Sequence, residues 1–406
     1  MSRSRWQIAF MVVAVPVAAI AAFIVGLFVY VNATATPIHP EPTAVPSMTR
    51  AAPPPQWAPA AEQGRQIIRE GLTKQNLPGL SVAVGAGGQI VWAEGFGYAD
   101  LEKKTTVTPE TRFKIGNVSN TLTSAAVGLL LQKNRVKLES DIQKYVPEFP
   151  EKQWPVTLRQ LMAQVSGIRD DAGDEEPISE HCARAVDGLQ RFAQRPLLFE
   201  PETRFRRSSY GWILVSAAVE AAAGEPFFTF MRTKIFEPLG MAGTRPDSTT
   251  ESIPDRATFY FPRFGGDTRY GPELAREGDH SCFAGAGAFL STPSDLVRFG
   301  LAVGGGTLLE AATVEKLQTP QRLMSGEQTD YGLGWAIENV SLAGRTTRMA
   351  GHGTKADFIG GTTSLMTFPE RGLVVAVTTN TSFADTKSLA LGIAQVFAEQ
   401  GTRSAR

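Results

Sequence analysis

The side chains at positions 117 and 120 are the first candidates for chemistry in this chain. Residues 113–122 read FKIGNVSNTL, which places Asn117 and Asn120 three residues apart, about one turn of a helix. A serine and a lysine at this spacing would form a nucleophile and its base, because the amine accepts the hydroxyl proton while the oxygen attacks an acyl carbon. A carboxamide is neither a useful nucleophile nor a proton acceptor near neutral pH. These two positions can therefore form hydrogen bonds but cannot carry out acyl transfer.

Other hydroxyl groups offer only weak alternatives. No Ser-x-x-Lys and no Gly-x-Ser-x-Gly sequence occurs anywhere in the chain. Ser119 and Ser124 have no lysine three residues later, and a helix would turn Ser119 about 200° away from position 117. Tyr210 is one turn from Arg207, and we interpret it as a packing residue in preference to a catalytic one. An unrecognised nucleophile stays open as the alternative.

The composition argues against several other classes of function. Forty basic and forty acidic residues cancel, so no basic field is present to attract nucleic acid, and no nucleic-acid-binding motif occurs. The four histidines are scattered, and no spacing of Cys and His is typical of a metal site. We expect neither a metal centre nor another cofactor. Hydrophobic residues make up 43% of the chain, which is enough for a globular core.

The N-terminus differs from this globular composition. Arg3 and Arg5 precede an uncharged run from residue 8 to residue 31, and about 24 mainly apolar residues can cross a bilayer as a helix. Basic residues before the run and none close behind it place the rest of the chain outside the cytoplasm, in a periplasmic or extracellular compartment. Ala33 and Ala35 could instead form an Ala-x-Ala cleavage site, so a cleaved secretory signal is the alternative. We expect export in both cases, with the cell membrane as a partner where the helix is retained.

The chain then divides into a cytoplasmic tip (1–5), a transmembrane anchor or signal sequence (6–31), a Pro/Ala-rich linker (32–59) and one domain (60–406). Residues 36–59 are rich in Pro, Ala and Thr, which predicts an extended stalk that holds the domain away from the membrane. Export permits a disulfide between Cys182 and Cys282 but does not require one. The sequence does not decide between this bridge and two thiols.

The hydrophobic periodicity predicts an α/β fold. An amphipathic helix from about residue 60 to 75 precedes two strand patterns, 80–85 and 89–96, which are joined by Gly87-Gly88. The remaining predicted elements are helices at 119–133, 158–165 and 212–223, a second hairpin at 363–368 and 373–379, and a closing helix at 387–399. Strands at both ends predict one antiparallel sheet built from both termini and flanked by helices, with a helical region inserted.

Several stretches follow each other in the order of one known family. They are residues 78–84 (PGLSVAV), 145–150 (YVPEFP), 161–167 (LMAQVSG, with Gln164 where histidine is usual), 284–296 (AGAGAFLST, then Asp295-Leu296) and 331–335 (YGLGW). Together with residues 113–122, they resemble the β-lactamase-related serine hydrolase family over residues 60 to 399. Within this family, the chain most resembles the branch that contains class C β-lactamases, penicillin-binding proteins, esterases and mitochondrial β-lactamase-like serine proteases. The resemblance implies the serine β-lactamase/penicillin-binding (DD-peptidase-like) fold.

The resemblance also assigns family positions to residues of this chain, and most of the reactive groups are replaced. Asn117 stands at the position of the nucleophilic serine and Asn120 at that of the lysine base. In the family's Tyr-x-Asn motif, Arg207 replaces the tyrosine and Ser209 the asparagine. Arginine stays protonated at any working pH, so it cannot act as a general base. Residues 352–354 resemble the Lys/His-Thr-Gly motif with its last two residues exchanged.

This pattern implies the scaffold of an acyl-transfer enzyme without its acylation groups, that is, a pseudoenzyme acting as a binding or regulatory module at the cell envelope. The implied ligands are a peptidoglycan stem peptide, another peptide or a small acyl compound. The candidate ligand-binding residues are Asn117, Asn120, Arg207, His352 and Thr354. An active serine hydrolase (esterase, peptidase or β-lactamase-like) is the alternative, and a purely structural domain is a third reading.

Two of these side chains have a simpler interpretation. Arg207 could bind a carboxylate through two parallel hydrogen bonds, but we favour a structural ion pair with Asp170 or Asp171. His352 could be a ligand contact or a hydrogen-bonded histidine of the core.

Overall fold

The computed structural model describes residues 3–170, 181–353 and 360–404. Helices α1 to α9 of this part are Arg3–Ala33, Ala58–Gln75, Val118–Gln132, Leu158–Met162, Ser209–Ala223, Phe227–Met231, Pro293–Gly304, Ala311–Gln318 and Thr386–Ser404. Strands β1 to β13 are Ser47–Thr49, Gly79–Ala86, Gln89–Asp100, Thr105–Thr106, Phe113–Lys114, Arg245–Pro246, Tyr260–Pro262, Pro272–Leu274, Phe289–Ser291, Ala336–Leu342, Arg345–Gly353, Thr362–Phe368 and Leu373–Thr379. Each helix and strand predicted above is found, with its ends displaced by a few residues.

The main sheet joins the two ends of the domain, as predicted. Its strands follow the order β1-β3-β2-β13-β12-β11-β10, with β4 paired to β3, and all of its pairs are antiparallel. The N-terminal strands meet the C-terminal ones where β2 pairs with β13. The turn between β2 and β3 is Gly87-Gly88, and both residues have positive φ (60° and 81°). Two such residues match the twist of a tight hairpin without steric cost.

Both faces of this sheet are buried, each against a different set of helices. Successive side chains of a strand point to opposite sides, so one strand contributes to both cores. Val82 and Val84 of β2 contribute to a core with α2 and α9, in which Ile68 and Leu72 of α2 are fully buried. Ala83 contributes to the second core, which contains α3 and α5. The helical region therefore covers one face of the sheet, and α2 and α9 cover the other.

Residues 36–59 differ from the predicted stalk. Strand β1 lies within them and adds to the edge of the sheet beside β3. The His39 ring is buried, lies 3.0 Å through Nε2 from the Pro78 carbonyl oxygen and stacks on Tyr98. The prediction of an unpacked stalk is therefore wrong for this part of the linker. Its composition does not reveal that the edge of the sheet offers free backbone groups to a short strand.

Helix α1 precedes this linker. The stretch Ala14–Ala33 is long and apolar enough to cross a membrane, with a mean hydropathy of 2.5. Length and composition are equally compatible with an anchor and with a signal sequence.

Candidate functional site

The two asparagines lie at the N-terminal end of α3. Gly116 has a φ of 48°, which allows the chain to turn sharply from β5 into the helix, and Asn117 occupies the N-cap position. Asn120 follows in the first turn, where its side chain is 2% exposed. Its Oδ1 atom has no hydrogen-bond partner among the described residues. The structure thus places a buried carboxamide where the resemblance implies a catalytic lysine.

Residues 331–335 pack directly against this turn of α3. The Thr121 hydroxyl donates to the Gly334 carbonyl oxygen at 3.0 Å, and the Ser124 hydroxyl donates to that of Leu333. Gly334 has a φ of 93°, and a Cβ atom there would lie 2.7 Å from side-chain atoms of both Ser124 and Trp212. Glycine is therefore required by conformation and by space. This close approach holds Tyr331 beside Asn120.

Tyr331 is a site residue that the sequence analysis used only as part of a motif. Burial raises the pKa of its phenol to about 12, against the smaller opposing effects of the Arg207 charge and of the nearby Asn120 and Gln164 side chains. The hydroxyl has no well-formed hydrogen bond to any described group. A tyrosine within an otherwise apolar motif is the signal that could have identified it.

His352 closes the other side of the tyrosine ring. It lies on β11, pairs with Leu365 of β12 and contacts the Tyr331 ring edge-on, with 6.1 Å between the ring centroids. Burial, and secondarily the Arg207 charge, lower the pKa of His352 to about 3, so the imidazole is neutral near pH 7. In the described part of the chain, Nδ1 has no hydrogen-bond partner. The structure brings His352 to the site, and it does not show a partner at Nδ1 of the kind expected for a core histidine.

Arg207 lies at the entrance to α5, and Gln164 fixes the backbone beside it. Gln164 has a φ of 63°, and its Oε1 accepts a 2.6 Å hydrogen bond from the Ser208 amide. Ser208 is the N-cap of α5, since its hydroxyl accepts from the Gly211 amide at 3.0 Å. The amide of Ser209 donates to Asp170. Ser209 therefore contributes the first residue of the helix.

The Arg207 side chain is exposed and forms no ion pair with any described residue. The favoured pairing with Asp170 is thus not observed; the Asp170 carboxylate accepts from the Ser209 amide at 2.8 Å. Asp171 and the candidate residue Thr354 lie outside the described residues. Arg207 nevertheless acts on the site electrostatically, since its charge lowers the pKa values of both Tyr331 and His352.

The hydroxyl groups considered as substitute nucleophiles are buried. Ser119 and Tyr210 are both 0% exposed. The Tyr210 ring stacks on Phe192 with 4.7 Å between centroids and also faces Phe283. This is the packing role predicted for Tyr210.

A second polar cluster, which sequence reasoning did not find, surrounds Lys114 of β5. The Lys114 ammonium lies 3.7 Å from Asp247 and 3.3 Å from Nε2 of His280, and it stands over the Phe259 ring. Burial lowers the pKa of Lys114, and burial together with the lysine charge lowers the pKa of His280 to about 4. Asp247 also receives a 2.8 Å contact from Arg256. The Asp247 carboxylate thus contacts both Lys114 and Arg256.

The polar atoms around Tyr331 form a receptor for hydrogen bonds. The unpartnered buried atoms are Asn120 Oδ1, the Tyr331 hydroxyl and His352 Nδ1. A buried polar atom without a partner costs about 1–3 kcal/mol, so a water or a ligand group that completes these bonds would be stabilised. A phenol with a pKa of about 12 and an imidazole with one of about 3 are poorly suited to exchange protons near pH 7. Within the described ranges, no group of three or more His, Cys, Asp or Glu side chains could hold a metal ion.

Comparison with known proteins identifies the family of this chain. Residues 65–397 match the family profile described as Beta-lactamase. The chain is 25% identical to the serine beta-lactamase-like protein LACTB, mitochondrial, of Homo sapiens, over 84% of this chain and 80% of that protein. It is 28% identical to penicillin-binding protein 4* of Bacillus subtilis, over 70% of this chain and 65% of that protein.

The fold is shared with solved structures. FmtA from Staphylococcus aureus superposes with a TM-score of 0.70 at 18% identity, over 87% of this chain and 90% of the other. Since the family profile covers most of the chain, this protein belongs to the β-lactamase family and has the fold of the penicillin-binding-protein-like serine hydrolases.

Proposed function

We propose that this chain is a non-acylating member of the β-lactamase family. It binds a cell-envelope ligand, without turning it over, at the site formed by Asn120, Tyr331 and His352, which we call the α3 site. The observation that carries the proposal is the pair Asn117 and Asn120 at the start of α3, where a nucleophile and its base would stand. Groups of this kind act as a unit, so the loss of one removes most of the rate. What remains is roughly 10³–10⁴-fold over water.

The surroundings of the pair support binding. The α3 site offers buried hydrogen-bonding atoms of Asn120, Tyr331 and His352, with the exposed guanidinium of Arg207 as a nearby positive charge. A guanidinium binds a carboxylate through two parallel hydrogen bonds. We infer a ligand that ends in a free carboxylate, such as a peptidoglycan stem peptide, another short peptide or an acyl compound. The relative named penicillin-binding protein 4* supports an acyl compound of the penicillin type among these ligands.

The N-terminal helix supports a location at the membrane. A retained α1 would anchor the protein, and the preceding arginines would keep their end in the cytoplasm. The domain would then face the periplasm or the extracellular space. The Cys182–Cys282 disulfide is compatible with such an oxidising compartment.

Covalent labelling tests the absence of acylation. The full chain in detergent would be exposed to a penicillin and to a fluorophosphonate, and its intact mass would be measured. A parallel sample would carry Asn117→Ser, Asn120→Lys and Arg207→Tyr. We expect no adduct on the native chain and an adduct on the variant, because the variant regains a hydroxyl, a base and a proton carrier on an unchanged frame.

Two results would contradict this expectation. A stoichiometric adduct on the native chain would favour the active hydrolase, and peptide mapping would then identify its nucleophile. Labelling of neither sample, with both samples folded by circular dichroism, would favour a structural domain whose site no longer accepts acyl compounds.

A further inference from the structure

The C-terminal end of α1 is packed against the folded domain. Val31 is 4% exposed, whereas residues 28–30 before it are between 56% and 63% exposed. The Arg263 guanidinium donates to the Val31 carbonyl oxygen at 3.2 Å and to the Thr34 hydroxyl at 2.6 Å. These contacts cap the helix end, where carbonyl groups would otherwise lack partners. The last turn of α1 is therefore attached to the segment that contains Arg263.

That segment is the hairpin formed by β7 and β8, residues 260–274, which we call the 260–274 hairpin. Asn76, in left-handed conformation at the end of α2, links it to the linker. The Asn76 side chain accepts from the Ile38 amide at 2.7 Å and donates to the Arg269 carbonyl oxygen at 3.3 Å. The linker, the hairpin and the end of α1 thus form one hydrogen-bonded junction.

The 260–274 hairpin also carries two exposed apolar side chains. Phe264 is 39% exposed and Leu274 is 69% exposed. Phe264 directly follows the arginine that holds α1, and Leu274 lies on β8, where it pairs with Tyr260 of β7.

The length of α1 locates this hairpin relative to a bilayer. The hydrocarbon layer of a membrane is about 30 Å thick and takes about 20 helical residues. The uncharged run from residue 8 to residue 31 has 24 residues, so a spanning α1 leaves the hydrocarbon within about one turn of the residues that Arg263 binds. Arginine and aromatic side chains are favoured at this depth, because their polar ends reach the headgroups while their apolar parts stay among the acyl chains.

We propose that the 260–274 hairpin rests on the bilayer that α1 spans, with Phe264 and Leu274 in the interfacial region. The contact is apolar in character, since residues 263–277 carry three arginines (263, 269 and 276) and three acidic residues (267, 273 and 277). The domain is then held on the membrane surface in a fixed orientation, unlike a domain on a flexible stalk. This inference depends on the retained anchor of the proposed function and is independent of the α3 site.

Depth-dependent fluorescence quenching tests the contact. Both cysteines of the chain are joined in the Cys182–Cys282 disulfide, so a thiol-reactive fluorophore reports only on an introduced cysteine. The full chain would carry Phe264→Cys, Leu274→Cys or, as a control on another surface, Met324→Cys, which replaces a side chain that is 66% exposed. Each variant would be reconstituted into neutral phosphatidylcholine vesicles with a nitroxide near the headgroup. We expect quenching at 264 and 274 to exceed that at 324 several-fold, and to persist at high salt.

Two matched substitutions test the junction with α1. Arg263→Ala, in the Phe264→Cys background, should reduce quenching to the level seen at 324, while α1 stays inserted. Arg276→Ala, which removes an exposed arginine two residues beyond Leu274, should leave quenching unchanged. Equal quenching at 264, 274 and 324 would overturn the proposal. So would persistent quenching in Arg263→Ala, or a mature chain whose mass shows that α1 has been cleaved off.

None of these outcomes involves acylation. A domain that rests on the membrane and still labels with penicillin would contradict the proposed function alone. A domain that does not label and does not touch the bilayer would contradict this inference alone.

Discussion

At the scale of single residues, the site exchanges reactive groups for groups that bind. Asn120 keeps a polar side chain in a position that is almost fully buried, where an apolar residue of similar size would avoid the cost of an unpartnered carboxamide. Arg207 puts a permanent charge within electrostatic range of Tyr331 and His352. Both choices disfavour a cleft that has simply filled with core residues, and both fit a cleft that still receives a polar ligand.

Arg207→Ala should weaken binding of a short peptidoglycan stem peptide with a free C-terminal carboxylate. Loss of a charged, bidentate contact costs about 1.5–3 kcal/mol, or roughly 10- to 150-fold in affinity. Titration calorimetry on the full chain in detergent measures this change. Arg206→Ala is the matched control, because it removes an exposed arginine next in the chain. Equal binding of the peptide and its C-terminal amide by the native protein would show that no carboxylate is recognised.

His352 makes stability depend on pH. Its pKa is about 3 in the folded state against 6.5 for the unpaired group, chiefly because of burial. Below about pH 6.5, His352 is protonated in the unfolded chain but not in the folded one. The free energy of unfolding is therefore highest above this pH and falls as the pH drops toward 3. The slope for one such histidine is at most about 1.4 kcal/mol per pH unit. His280, with a pKa of about 4, contributes in the same direction.

Replacing His352 by glutamine should therefore flatten the acid side of the stability curve. Urea unfolding of the native chain and of His352→Gln, at about pH 7, 6 and 5, measures the difference. We expect the variant to lose less stability on acidification than the native protein, with the His280 contribution left in both. Parallel curves for the two proteins would mean that folding does not lower the pKa of His352.

Residue types could be assigned to the site from the sequence, but their environments could not. Asn117, Asn120, Arg207 and His352 were predicted at the site from motif positions, and the structure places the last three around Tyr331. Tyr331 itself was missed as a polar group, because its burial depends on the close approach of Gly334 to α3. The favoured pairing of Arg207 with Asp170 is not observed, and the Asp170 carboxylate accepts from a backbone amide at the start of α5.

At the scale of elements, the entrance to α5 decides where Arg207 stands. Ser208 caps the helix and also donates to the Arg169 carbonyl oxygen at 2.7 Å. Ser208→Ala removes the cap and should lower the free energy of unfolding by about 1 kcal/mol. Ser209→Ala is the control, because Ser209 is already the first residue of the helix and alanine is favoured in helices. Thermal unfolding, followed by circular dichroism, would compare the two variants with the native chain. An equal loss of stability in both variants would refute the capping role.

Long elements could be predicted well, whereas short and irregular ones could not. The β2–β3 hairpin was signalled by Gly87-Gly88, and α3 by an apolar run that exceeds one strand in length. Strand β1 was missed, since three residues within a proline-rich stretch have no periodicity of their own. Strand β1 forms because it pairs with β3, whose residues lie more than 40 positions further along the chain. The left-handed Gln164 was likewise hidden, because its conformation is held by its neighbours Ser208 and Arg206.

At the scale of the whole molecule, the Cys182–Cys282 disulfide connects two segments that are 100 residues apart in sequence. The segment after Cys182 leads into α5 through a turn that packs on it, and Cys282 lies in the turn that leads to β9. The bridge therefore links two segments that both pack against α5, the helix that begins beside Arg207. Such a link acts mainly by limiting the unfolded chain, and longer loops give larger effects.

The double substitution Cys182→Ser, Cys282→Ser should lower the free energy of unfolding by about 2–4 kcal/mol, since a loop of this length has much freedom to lose. The melting temperature of the detergent-solubilised full chain would fall by several degrees. The native chain treated with a reductant should show the same loss, and the double variant should not respond to the reductant at all. If reduction left the native melting temperature unchanged, the bridge would be absent or without effect on folding. The exported location that the disulfide supports would then depend on α1 alone.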